Sequence, residues 1–397
     1  MKFIDFYGKN LIIPTVDVKD LDQEVLSKQR TAFYHSVGIN ELNFENKTVL
    51  ELGPGTGYNA FYLLNNKIKK IVLVDLNDES IRICKKNLKF FKKKCTIIKE
   101  DIYKFKTRKK FDYVIIENVL ANLDNPEKIL AKVDSFLKEK GHLILTTSDN
   151  FGLFSDKLRG LLSKIIIDAN SKFINKLENK PHAKLNVKEN LLHYFFSSHF
   201  HKLGQNTRPK GKWIQDNLLH VDTWINKKYL SLDRIIKSIN KKRNNFVYWH
   251  SSPAFNTSFT WYKKRNVKVI NKNAVKNYFN SQLNFLDIRE NYIMPNDLLV
   301  NKIKEKILDI SSLIFIFGKS KKNNKKILRE IIKNLKILNK NFSQIKKNNL
   351  IIKSIKSLII FLEYYVNYNW INKKSLKNFE SFWGNGTLQF SFLKHKK

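Results

Sequence analysis

Short apolar runs alternating with mixed polar stretches organise the first 150 residues. Thr48-Val49-Leu50-Glu51-Leu52 is the first run, and 71–74, 95–98, 111–116 and 142–147 follow. Apolar side chains at consecutive rather than alternate positions mark strands buried on both faces of a parallel sheet. Helical stretches separate them. One covers 58–64, and another covers 78–91 and opens on Asp78 and Glu79. A third starts at Asn125-Pro126-Glu127, which supplies a cap, a proline in the first turn and an acid at the positive end. Leu130, Val133 and Leu137 form its buried stripe, and Gly141 is expected to end it. A further helix over 20–38, with Leu26, Phe33 and Tyr34 on its apolar side, precedes the first strand. Strands alternating with helices predict an α/β fold built on a doubly wound, mostly parallel sheet.

Beyond residue 150 the pattern is mostly helical. Leu158, Leu161, Leu162 and Ile165 stripe a helix over 155–178. Residues 187–226 interleave His193, His199, His201 and His220 with Phe195, Phe196, Phe200, Trp213 and Trp224, an arrangement that favours aromatic packing over a metal site. A short helix over 232–239 leads into a sixth strand, Phe246–His250. Stripes headed by Leu299, Leu328 and Ile351 predict three long helices whose outer faces are filled by lysine, with Asn296 capping the first. Near the C-terminus Leu388, Phe390 and Phe392 alternate with Gln389, Ser391 and Leu393, as in an edge strand.

The loop after the first strand carries the chemistry. Gly53, Gly55 and Gly57 stand at alternate positions, followed at once by a helix. Such a loop lets a ligand lie against backbone, with helix N–H groups pointing at it. A dinucleotide fingerprint from Gly53 fails at Tyr58. From Gly55 it ends at Ala60, which keeps a dinucleotide open. The Gly-Lys-Ser/Thr ending of a P-loop is absent. Asp75, at the end of the second strand, can accept hydrogen bonds from two ribose hydroxyls.

Glu51-Leu52-Gly53-Pro54-Gly55-Thr56-Gly57 resembles the first motif of the class I S-adenosylmethionine-dependent methyltransferases, and the resemblance extends over residues 49–149. It implies a Rossmann-like sheet with an antiparallel last strand and a largely helical elaboration. It also implies S-adenosylmethionine as cofactor, held by Glu51, Gly53, Pro54, Gly55, Gly57, Asp75 and Leu76, with Asp101 and Ile102 at the adenine and Glu117 and Asn118 facing cofactor and substrate. Arg30 and Tyr34 are candidate contacts from the preceding helix. The segments that the resemblance implies are a helical lid over 1–40 and a core over 41–253 with a substrate-side insertion at 151–245. A basic helical insertion at 254–385 and a final edge strand at 386–397 complete them. Substrate-side candidates are Asp149, His201, Arg208, Trp213 and Asp216. His182, His193 and His250 join Asp149 and His201 as candidate bases, and none is singled out as catalytic. No metal is expected.

Composition narrows the acceptor. Two cysteines, Cys84 and Cys95, form no ligand spacing and suit a reduced compartment. No apolar stretch is long enough to cross a bilayer, so a cytoplasmic protein is expected. Of the net charge of +39, residues 1–150 hold +6 and the remainder +33. The excess is lysine, while arginine, the better phosphate fork, is scarce. That favours solvated helix faces over a nucleic-acid surface, and peripheral membrane contact stays open. The Asn/Asp-Pro-Pro-Tyr/Phe signature of amide and base amino methylation is absent, as is a Pro-Cys nucleophile. A small-molecule acceptor, through a hydroxyl of a saccharide, lipid or secondary metabolite, is the first expectation. RNA methylation and a non-catalytic cofactor-binding protein are the alternatives.

Overall fold

The structure, a computed structural model, describes residues 22–176, 181–197, 210–219, 229–255, 266–289, 297–320, 324–345 and 349–395. Every apolar run of the N-terminal part becomes a strand: β1 Thr48–Leu52, β2 Lys70–Asp75, β3 Cys95–Lys99, β4 Phe111–Ile116 and β5 Leu137–Ser148, with β6 Phe246–Ser252 and β7 Thr387–Lys394 later in the chain. The helices are α1 Gln23–Ser36, α2 Tyr58–Asn65, α3 Asp78–Asn87, α4 Pro126–Leu130, α5 Val133–Phe136, α6 Phe154–Ala169, α7 Ser171–Asn175, α8 Pro181–Phe195, α9 Lys210–Ile214, α10 Leu232–Ile239, α11 Val267–Ser281, α12 Asp297–Lys319, α13 Lys325–Ser343 and α14 Asn349–Tyr368.

The chain divides into two compact units. The first joins residues 1–149, 228–281 and 387–397; the second joins 150–227 and 282–386. The second unit therefore gathers most of the two stretches expected as separate insertions, while 229–245, α11 and β6 belong with the sheet.

In the first unit seven strands lie in the order β3-β2-β1-β4-β5-β7-β6. β1 to β5 run parallel, and β7 is antiparallel to both β5 and β6. Val49, Ile71, Tyr113 and Ile144 share one apolar cluster with Tyr34 of α1 and with Ala60, Leu63 and Leu64 of α2. Leu50, Val74, Val114, Leu143 and Leu145 are also buried. Strand side chains alternate between faces, so both faces of the central sheet are covered. On the strand starts, Asp112 Oδ2 accepts from Thr48 N at 2.8 Å, Thr48 Oγ1 at 2.7 Å and Lys138 Nζ at 2.9 Å, tying β4 to β1.

Two expectations are corrected here. Gly141 does not end a helix: α5 stops at Phe136 and β5 already begins at Leu137. The strand pauses in a bulge, with Phe111 opposite Leu137 and Tyr113 opposite His142, and Lys140 takes a φ of 60° within it. β7 is not an edge strand, because it lies between β5 and β6, leaving β6 at the edge. Its alternating polar positions misled because they are satisfied internally. Ser391 is fully buried and donates its hydroxyl to Val37 O, with His250 O at 3.3 Å.

The second unit is built from the predicted stripes. Leu158, Leu161 and Ile165 of α6, Ile303, Ile307 and Ile310 of α12, Leu328, Ile331 and Leu335 of α13, and Ile351, Ile355 and Leu358 of α14 enter one core. Each such side chain contributes about 1.5–3 kcal/mol when fully buried, so the stripes account for the packing and the lysines remain on outer faces. Arg159 lies inside this unit, paired with Asp156 at 2.9 Å, bonded to Phe382 O and set 4.5 Å over the Trp383 ring.

Candidate active site

The carboxyl ends of β1, β2 and β4 converge on the glycine loop. Gly53, Gly55 and Gly57 adopt φ values of 77°, 55° and 79°, left-handed backbone that side chains resist. A Cβ on Gly53 would stand 2.4 Å from Val119 Cγ2, and one on Gly57 2.8 Å from Cys84 Sγ. The loop is anchored by Gly53 N on Val74 O at 2.8 Å and by Asn87 Nδ2 on Thr56 O at 3.0 Å. It leads directly into α2, whose first turn receives no side-chain cap from Gly57.

Two acids flank the loop. Asp75 accepts from Gly55 N at 3.2 Å through Oδ2 and from Asn77 N at 2.9 Å through Oδ1. Burial raises its pKa, and those backbone N–H groups oppose the rise. Glu51 is buried, with Oε1 accepting from Asn59 Nδ2 at 3.0 Å and Oε2 lacking a hydrogen-bond partner. Burial, reinforced by the negative charges of Glu117 and Asp75, pushes it up to about 7.

The remaining predicted residues have varied surroundings. Leu76 is exposed at the mouth of β2. Asp101 is half-buried beside Ile102, and its Oδ1 accepts from Tyr103 N at 2.8 Å in a tight turn. Glu117 forms a two-point pair with Arg30 of α1. Asn118 takes a φ of 56°, and its N–H donates to Thr146 Oγ1 at 2.6 Å, joining the ends of β4 and β5. Asp149, just past β5, is buried and accepts from Tyr278 Oη at 2.6 Å. Burial, followed by the Asp149 charge, raises the pKa of Tyr229. Trp213 belongs to the second unit, where it packs at 5.5 Å against Trp383. His250 Nδ1 lies 3.1 Å from Ser36 O, fastening β6 to the end of α1. His201 and Arg208 lie outside the described residues, as do the side chains of His182 and Asp216.

Asn59 and Tyr278 were not anticipated. Asn59 reads as an ordinary polar position in a helix, and its partners Arg30 and Tyr34 stand far back in the chain. Tyr278 meets Asp149 only because α11 returns to the sheet.

The methyltransferase domain family matches residues 43–205, less than half of the chain. A protein N5-glutamine methyltransferase of Methanocaldococcus jannaschii is 32% identical over 98 residues, which is 25% of this chain and 47% of that protein. The chain thus spans about half the length of this curated relative. Among solved structures, the N-methyltransferase NodS of Bradyrhizobium japonicum has a TM-score of 0.28 at 19% identity, covering 31% of this chain and 62% of that one. The glycopeptide N-methyltransferase MtfA has a TM-score of 0.27 at 22% identity, covering 31% and 54%. The strand order with its antiparallel β7, the glycine loop after β1 and the matching family model define the class: the chain carries a class I S-adenosylmethionine-dependent methyltransferase domain.

The donor set suits that cofactor. A buried carboxylate oxygen without a partner can receive a cation, and a loop that cannot accommodate Cβ atoms presents bare backbone. A second carboxylate stands one strand away, at the end of β2.

Proposed function

We propose that the chain transfers a methyl group from S-adenosylmethionine to a small-molecule acceptor, through a hydroxyl of a saccharide, lipid or secondary metabolite. The observation that carries the cofactor half is the loop Gly53–Gly57 set between Glu51 and Asp75. In this reading the glycines bear the amino-acid end, Asp75 accepts from the ribose hydroxyls, and Asp101 and Ile102 border the adenine. When bound, the cofactor supplies a methyl group on a positively charged sulfur, already activated for displacement. The chain's own tasks are then alignment and exclusion of water. On the acceptor side, Asp149, whose Oδ2 accepts from Tyr278 Oη at 2.6 Å, is in this reading the base that takes a proton from a hydroxyl.

The acceptor half draws support from the end of β4. The chain reads Glu117-Asn118-Val119-Leu120 there and carries no Asn/Asp-Pro-Pro-Tyr/Phe signature of amide and base amino methylation. A second reading, methylation of RNA, is favoured only by the +33 net charge of residues 151–397.

The test is incubation of the purified protein with methyl-labelled cofactor and fractionated host extract. Label is expected in the low-mass or lipid fraction. Label confined to RNA or to protein would overturn the acceptor reading, and binding of a nicotinamide dinucleotide in place of S-adenosylmethionine would overturn the cofactor.

A further inference from the structure

Arg30 is 3% exposed, and inside the first unit its charge is held through both terminal nitrogens and by aromatic rings, while Nε has no hydrogen-bond partner. Nη1 donates to Glu117 Oε1 at 2.9 Å and Nη2 to Glu117 Oε2 at 2.8 Å, a fork that matches the carboxylate. The Phe33, Tyr34 and Tyr58 rings lie 4.4, 5.2 and 5.4 Å from Cζ. Nη2 also donates to Asn59 Oδ1 at 2.7 Å, and Tyr34 Oη donates to the same oxygen at 2.6 Å.

Those last two bonds settle the orientation of an amide. An amide oxygen has two lone pairs, and both are taken by donors. Flipping Asn59 would set its NH₂ group against a guanidinium that can only donate. Nδ2 therefore faces Glu51 and donates to Oε1. The chain of contacts fixes one oxygen of Glu51 and leaves the other, Oε2, buried and without a partner.

We propose that Arg30 is a positioning residue which, acting through Asn59, presets Glu51 Oε2 to receive the amino group of the amino-acid end of S-adenosylmethionine or its product. This rests on the cofactor reading above and extends the site to α1, which lies before the residues that match the family. The same contacts divide the work between two acids. Glu117 is matched by a cation, while Glu51 has only an amide N–H and is free to pair with an incoming one. Among the described residues the titratable groups facing Glu51 are Arg30 and Tyr34 from α1, Asp75 from β2, Cys84 from α3, Cys95 from β3 and Glu117 after β4. Arg30 is the one cation among them, and Glu117 already holds it. A ligand cation is thus what Glu51 lacks, and it binds best when Glu51 has lost its proton, above about pH 7.

Calorimetry with two probes tests this. S-adenosylhomocysteine carries the amino-acid end, and methylthioadenosine lacks it. Arg30→Gln is expected to weaken S-adenosylhomocysteine about tenfold or more while methylthioadenosine stays within about twofold. Tyr34→Phe removes one donor to Asn59 without stranding Glu117, keeps the fold if Arg30→Gln does not, and is expected to shift the same ratio by about threefold. In the unaltered protein, preference for S-adenosylhomocysteine over methylthioadenosine should rise between about pH 6 and pH 8, and Glu51→Gln should flatten that slope. Equal loss of both probes in a folded variant, loss of neither, or a flat ratio in the unaltered protein overturns the proposal. Failure of the unaltered protein to bind either probe overturns the methyltransferase reading itself.

Discussion

Glu51 and Asp75 are acids at neighbouring strand ends, and their hydrogen-bond partners set them apart. Asp75 has backbone N–H groups on both oxygens, whereas Glu51 has one amide and one empty lone-pair set. Without ligand, a carboxyl raised to about 7 binds protons more tightly folded than unfolded. Folding stability is therefore lost as pH rises from the ordinary carboxylate range through 7. Glu51→Gln should gain thermal stability relative to the unaltered protein at about pH 8 and not at about pH 5, and a melting series across pH would show it. Asp75→Ala should lower cofactor affinity by about one to three orders of magnitude, because two charge-assisted hydrogen bonds of roughly 1.5–3 kcal/mol each are removed. An unchanged dissociation constant would move the ribose contact elsewhere. Gly53→Ala forces a methyl to 2.4 Å from Val119 and strains a φ of 77°, so the purified variant should lose cofactor binding and melt earlier. At this scale the sequence spoke clearly where spacing is local. Three glycines and an acid within seven residues can be read directly. Asn59 could not be read, since its meaning depends on Arg30 and Tyr34. Asp101 closes a turn with Oδ1 by accepting from Tyr103 N, which leaves Oδ2 for the proposed adenine contact.

Among the elements, α10 at Leu232–Ile239 matched its expected span and the stripe headed by Leu328 lies within α13, whereas the helix expected over 155–178 ends at Ala169 and is followed by the short α7. Boundaries failed where a local signal had two meanings. Gly141 suits a helix end and a strand bulge equally, and only pairing with β4 decides between them. The polar alternation of β7 suits solvent or buried hydrogen bonds, and its neighbours on both sides decide that. β7 is held further by Lys394, whose Nζ lies 2.8 Å from Asp134 Oδ1 of α5 and 3.0 Å from Leu137 O. Burial works against ionising Asp134, but Lys394 and Asn245 more than offset it and hold the carboxyl below its usual range. Lys394→Met should cost about 2–4 kcal/mol at neutral pH, since it takes the paired cation from a nearly buried Asp134 that keeps its hydrogen bond from Asn245. A lowered acid contributes its stability above the unfolded carboxylate range and loses it as pH falls through the folded value. The deficit measured by denaturant titration should therefore shrink in acid.

At the scale of the whole molecule, charge and cores separate. The apolar stripes of α12, α13 and α14 are spent on one core, and their lysines face outward. Several acids on those faces are already matched, as Glu363 is by Lys336 at 2.7 Å. Fluorescence anisotropy with labelled RNA should show only weak association that disappears near about 0.15 M salt, because counterion release makes such binding steeply salt-dependent. Sub-micromolar binding at that salt would promote the RNA reading. No helix among the described residues is long and apolar enough to cross a membrane.

The position of β7 has a consequence in time. β5 and β6 are made early, but the strand that lies between them arrives only after the whole of 253–386. At ribosomal rates of about 5–20 residues per second, that interval is on the order of ten seconds. Throughout it the β5 flank of the sheet stands open, and β6 has no partner with which to pair. An open strand edge invites another chain. The nascent sheet is therefore most exposed to mispairing while residues 282–386 of the second unit are being synthesised, and it is completed only when β7 has been made.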